Sequence, residues 1–167
     1  MALLITQTFI IPNNRDEDQR VQLVAATVTR VLDGRTLEVE VGGKIEIVRY
    51  IGVGTPEIGR DNAGLALELN RLWAAGKNVR LEEDRQDRDA EGNLLRYVYV
   101  DNAMINAALI AAGFASAEDP GRNDRYKQGF SELEAQARSD QRGLWATPDA
   151  LKSNTLLPRS DSNPVAA

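Results

Sequence analysis

Neither cysteine nor histidine occurs anywhere in the 167 residues of the chain. Without cysteine there is no disulfide, no thiolate metal site and no cysteine nucleophile, although this absence leaves the compartment open. Without histidine the usual general base, the commonest zinc ligand and every triad built on an imidazole are excluded. Catalysis here would have to run on carboxylates, arginine and a hard metal. Long apolar runs are missing too: nothing approaches the ~20 residues that span a bilayer, so a soluble chain with no membrane partner is expected. The short run Ala2 to Ile5 has no positive charge before it and no small-residue cleavage signal after it, and makes a poor secretory leader. Basic charge is also scarce. Twenty Lys and Arg face 25 Asp and Glu, for a net charge of -5 and a pI near 4.9. Such a field repels a polyanion and disfavours strong nucleic-acid binding unless a local basic cleft exists.

What is present fits one domain, since 167 residues with 43% hydrophobic content can bury one core. A β-rich stretch from Val21 to Arg30 runs into Val31-Leu32-Asp33-Gly34, where Asp-Gly marks a turn. Thr36 to Val41 alternates apolar and polar residues with the period of a half-wet strand, Gly42-Gly43 supplies a tight hairpin, and Lys44 to Val53 returns. After Gly54-Thr55-Pro56-Glu57, the segment Asn62 to Ala75 spaces Leu65, Leu69, Leu72 and Trp73 as a helix, with Asp61 as N-cap and Gly76 past the end. Lys77 to Glu83 and Leu94 to Val100 are two further strands. The polar stretch Asp84 to Asn93 between them reads as an exposed hairpin loop, its acidic residues lacking the spacing of a calcium loop. Helices are expected over Ala103 to Ala112 and about Asp124 to Gln141, the latter ending at Gly143 with Leu144 and Trp145 turning back onto the core.

Three strands, a helix, two strands and two helices predict an α+β fold: a five-stranded, partly closed barrel of the oligonucleotide-binding type with three packed helices. The expected organisation is an N-terminal arm over 1–22, the domain over 23–146, and a Ser-, Pro- and Asn-rich tail over 147–167 read as disordered or a linker.

Four runs in order and spacing carry a resemblance: Val31-Leu32-Asp33-Gly34-Arg35-Thr36, Val48 to Glu57, Leu94 to Val100, and Gly143-Leu144-Trp145. Together they resemble the staphylococcal nuclease (thermonuclease) family from about Ala25 to Trp145. The resemblance implies a calcium-dependent phosphodiesterase acting on DNA and RNA. In it carboxylates hold Ca²⁺, the metal and two arginines neutralise the phosphate, and a glutamate positions or activates water.

Carried over position by position, that machinery survives unevenly. The family's Asp-Gly-Asp-Thr becomes Asp33-Gly34-Arg35-Thr36, so Arg35 stands where a metal-ligating aspartate belongs. In the second motif Arg49, Thr55, Pro56 and Glu57 match, but Gly54 replaces the other ligating aspartate. The third, Tyr-Gly-Arg, reads Glu91-Gly92-Asn93, so Asn93 replaces the second arginine. The base-stacking tyrosines have no counterpart, as the chain runs through Ala117, Glu118 and Asp119. The resemblance thus implies vestigial catalytic residues Arg49 and Glu57, and vestigial metal positions Asp33 and Thr55. No cofactor is expected, and Ca²⁺ only if the site still works.

Arg35 is expected to sit where the metal would be and to pair with Asp33, Glu57 or both. Arg49 could be an ion-pair partner or a phosphate contact, and Glu57 a helix cap or salt bridge. The functional expectation is a binding or interaction module with a protein partner or weakly held single-stranded nucleic acid. The alternatives are a residual calcium-dependent nuclease with Glu38 or Glu40 recruited to the metal, and a structural domain of a larger assembly tethered through its tail.

Overall fold

The computed structural model describes residues 21–55 and 63–146. The predicted arm and tail, the Asp61 cap, and Pro56 and Glu57 fall outside these residues, apart from Val21 and Gln22 at the arm's end.

Strands β1 (Leu23–Asp33), β2 (Thr36–Val41) and β3 (Lys44–Tyr50) form the expected antiparallel meander. Strand β5 (Asn78–Glu82) pairs with β1 and with β6 (Leu94–Val100), and β6 closes on β3 by a short parallel pairing. The result is the closed five-stranded barrel of the predicted class, with three helices. Closure leaves few free sheet edges. Two register irregularities in β1, between Val28 and Arg30 and between Val31 and Asp33, mark where it bends around the barrel. The interior is filled by alternate residues, Val28, Leu37, Val39, Val48, Leu81 and Val98 among them.

Helix α1 (Ala63–Ala74) packs on β1 with Ala66, Asn70 and Trp73 inward. Helix α2 (Ile105–Ala111) is buried throughout, and α3 (Lys127–Ser139) covers it with Phe130 and Ala137. A short 3₁₀ turn, Gly143–Trp145, follows.

Two expected elements are differently bounded. The strand predicted from Lys44 to Val53 breaks at Gly52, whose φ of +70° forms a turn under Phe130. Beyond it Val53–Gly54 (β4) leaves the barrel and pairs with Ser116–Ala117 (β8). The helix predicted from Ala103 starts two residues later, because Ala103–Met104 (β7) first folds back on β6. A two-residue strand has no period to read.

Candidate functional site

The turn joining β1 to β2 is fixed from several sides. The Asp33 side chain accepts the backbone N–H of Arg35 at 2.8 Å, closing the turn on itself. The Asn70 side chain, fully buried on α1, donates to the Asp33 carbonyl at 2.8 Å and accepts the Tyr50 hydroxyl at 2.7 Å. Gly34 lies so close under α1 that a Cβ there would stand 2.7 Å from the Ala66 methyl and 3.1 Å from Thr55 Cγ2. Thr55 therefore lies against the Asp33–Arg35 turn.

From this turn the Arg35 side chain reaches across to the β4–β8 ribbon. One guanidinium nitrogen donates to the Val53 carbonyl at 3.0 Å and to the Glu118 carboxylate at 2.7 Å. Of the two partners expected for the Arg35 guanidinium, Asp33 spends an oxygen on the Arg35 backbone and Glu57 lies outside the described residues; the carboxylate that the guanidinium meets among the described residues is Glu118, 83 residues away. Glu118 is delivered there by backbone. Its N–H donates to the Gly52 carbonyl at 3.1 Å, and the preceding Ser116 and Ala117 pair with Gly54 and Val53. Sequence reasoning missed Glu118 as a site residue; the only signal was a carboxylate in the stretch where the family carries aromatic rings.

Gly54 faces the same ribbon. A Cβ at this position would lie 2.6 Å from Ser116 Oγ, which donates to the Gly54 carbonyl at 3.3 Å. A ligating side chain at position 54 has no space until Ser116 moves.

Arg49 lies on β3 opposite Thr36 and beside Leu95 of β6, half-buried. Asn93 donates from its backbone and its side chain to the two Asp89 oxygens, at 2.8 and 2.9 Å. Burial raises the Asp89 pKa, but these bonds, another from the Glu91 N–H and the charge of Arg49 outweigh it and hold the group below its ordinary value. Arg49 thus has a local carboxylate in its field, and Asn93 is committed to that same carboxylate. Of the residues suggested for recruitment, Glu38 is bound by Thr29 and by Arg30 at 2.9 Å, while Glu40 is exposed opposite Thr27. Among the described residues, no three acidic side chains converge as a metal cage.

The loop expected to be exposed, Asp84 to Asn93, is instead tied down at its start, together with Glu82 at the end of the strand before it. Glu82, 1% exposed, receives Arg125, the Tyr126 hydroxyl at 3.1 Å and the Tyr99 hydroxyl at 2.7 Å. Asp84 accepts the Arg125 N–H at 3.0 Å and the Tyr97 hydroxyl at 3.2 Å. Further along, Arg96 holds Asp87 at 2.5 Å and Arg88 holds Glu46 at 2.9 Å. The polar composition suggested solvation because it does not show that the arginines needed to neutralise these carboxylates lie close by.

The Ca²⁺ chemistry of the site can now be tested against its donors. A hard cation takes ~6 to 8 oxygens, chiefly carboxylates. Here position 35 carries a guanidinium already bonded to two oxygens, and position 54 carries no side chain. The described residues at positions 35 and 54 offer such an ion no carboxylate.

A protein-family model described as staphylococcal nuclease homologue matches residues 47–147. The chain is 33% identical over 124 residues to a thermonuclease of Staphylococcus intermedius, covering 71% of this chain and 74% of that protein. It is 34% identical over 135 residues to endonuclease YncB of Bacillus subtilis, covering 75% and 63% respectively. An uncharacterised endonuclease of Escherichia coli is 31% identical over 123 residues, covering 73% and 77%. No helix among the described residues is long and apolar enough to cross a membrane.

Proposed function

Because this chain belongs to the staphylococcal nuclease family, we propose that it is a member whose calcium-dependent phosphodiesterase site is dismantled and whose barrel serves as a binding or interaction module. The observation that carries this reading is the Arg35 guanidinium held between the Val53 carbonyl and Glu118. A fixed cation at position 35 supports this reading because the family's chemistry calls there for a ligand for a cation. Losing one preorganised charge stabiliser costs on the order of 100- to 1000-fold in rate. Positions 35, 54 and 93 each lack such a group, although losses of this kind do not simply add.

The partner is a protein, or a single-stranded nucleic acid held weakly against the overall charge of -5. Digestion of heat-denatured DNA with Ca²⁺ and with a chelator tests the catalytic half of the proposal. No cleavage in either is expected, and cleavage abolished by the chelator would overturn it. Titration of single-stranded DNA binding against salt tests the other half, because a backbone-binding module weakens steeply with salt whereas a protein-binding one shows no such complex.

A further inference from the structure

We infer that the Arg35 guanidinium is a binding site for a carboxylate side chain of a protein partner, and that Glu118 fills this site in the free chain as an internal competitor. The inference rests on the reading of the barrel as a binding module and names the chemistry that the module recognises. Arg35 is held in place without help from Glu118. Its backbone N–H donates to Asp33 Oδ1 at 2.8 Å, and its carbonyl accepts the Tyr50 N–H at 2.9 Å. The guanidinium itself donates to the Val53 carbonyl at 3.0 Å, a bond that exchange of the carboxylate leaves intact. With 22% of the side chain exposed, the cation is packed along most of its length and still meets solvent. A planar fork fixed in this way has little rotamer freedom left to lose on binding.

Glu118 is held differently. Its backbone N–H is tied to the Gly52 carbonyl at 3.1 Å, but its side chain is 56% exposed. An ion pair whose carboxylate stays largely hydrated is weak, so this partner can leave for water at little cost. The ribbon remains paired through Val53–Ala117 and Gly54–Ser116 when it does. A fixed cation with a removable internal anion is an autoinhibited site. The bond to Glu118 at 2.7 Å shows that a carboxylate fits the fork. A phosphate backbone is the poorer occupant, because a row of charges meets the Asp33 carboxylate in the same turn and the net charge of -5. A single carboxylate meets them with one charge. The surroundings also suit a protein: Leu32, 37% exposed, precedes the turn, and Leu65, 47% exposed, adjoins the Ala66 that crowds Gly34. Arginine beside half-exposed aliphatic side chains is the composition of a protein interface.

The test uses the full chain, isotope-labelled, with a chelator present so that no metal takes part. The probe is the capped peptide acetyl-Leu-Glu-Leu-amide, with acetyl-Leu-Gln-Leu-amide as control. The glutamate peptide should shift the Arg35 Nε–H resonance, and the glutamine peptide should leave it in place. Glu118→Gln removes the competing charge and keeps the shape. If Glu118 fills the site for roughly nine-tenths of the time, this variant should bind the glutamate peptide about tenfold more tightly. Arg35→Gln should abolish binding with or without Glu118, and binding that survives it overturns the proposal. So does equal affinity in the natural and Glu118→Gln chains, or no shift at Arg35 in the latter, and neither result depends on the Arg35→Gln variant folding. A thymidine oligonucleotide that shifts Arg35 more strongly than the peptide also overturns it and assigns the cation to a phosphate backbone. DNA cleavage that a chelator abolishes would sink the reading of a dismantled site. A failed peptide titration without such cleavage sinks this inference alone.

Discussion

Gly54 and Ser116 face each other across the β4–β8 ribbon, so close that a β-carbon on Gly54 would stand 2.6 Å from the Ser116 hydroxyl. Replacing Gly54 is therefore first a packing event and only then a change in metal chemistry. Gly54→Asp should destabilise the chain by about 1–3 kcal/mol, the usual cost of forcing atoms into filled space. Ser116→Gly in the same chain should recover much of that loss despite removing the Ser116 bond to the Gly54 carbonyl. Urea unfolding of the two single variants and the double variant measures the coupling, and simple additivity of the two would contradict the contact.

Calcium binding should be recoverable only when the whole constellation is changed. Arg35→Asp removes the bound cation and frees Glu118, Gly54→Asp with Ser116→Gly adds a second carboxylate with room to stand, and Asn93→Arg returns the phosphate clamp. The parent should show no rise in Tm with millimolar Ca²⁺ beyond a Mg²⁺ control. The combined variant should show one, worth about 2.7 kcal/mol at a hundredfold excess over Kd. A calcium-specific rise in the parent would mean that oxygens other than those assigned here hold the ion.

The barrel was legible because its signals are local. Thr36 to Val41 alternates, Gly42-Gly43 turns, and β3 returns in the register that puts Leu37 and Val48 together inside. That positions 35 and 54 carry no carboxylate was legible for the same reason, because a motif is read from adjacent residues. What those residues touch was not. Arg35 chooses between Asp33, two residues back, and Glu118, and only the β4–β8 pairing decides it. Burial of Glu82 and Asp84 was equally invisible. A carboxylate opening a polar loop reads as solvated until the chain folds Arg125 and three tyrosines over it.

That buried cluster should dominate the response to single substitutions. Arg125 and Glu82 side chains are 8% and 1% exposed, so Arg125→Ala leaves a charge stranded away from water. Removing one partner of a buried pair costs about 3–5 kcal/mol. Arg71→Ala breaks a pair with Glu68 in which both side chains are mostly exposed, and should cost no more than ~0.5 kcal/mol. Denaturant midpoints of the two variants should separate cleanly. Equal midpoints would mean that water reaches Glu82.

All four tyrosines of the chain should titrate with unfolding and not before it. Burial pushes the hydroxyls of Tyr50, Tyr97, Tyr99 and Tyr126 above their ordinary value near 10, with the charges of Asp84 and Glu82 adding to the rise at Tyr97 and Tyr99. At Tyr126 burial is again the largest cause and Glu82 adds to it. A raised native pKa means that the folded chain keeps a proton the unfolded chain gives up. The stability this confers is complete below about pH 10 and is lost as pH climbs through and beyond that value. Tm should therefore be insensitive to tyrosine ionisation up to about pH 9.5 and fall steeply above it. Tyrosinate absorbance should stay silent in the folded chain and appear in one step with loss of near-ultraviolet circular dichroism. A gradual rise in that absorbance at pH 10 with the fold intact would show at least one of these hydroxyls open to solvent, and would break the link between burial and alkaline stability.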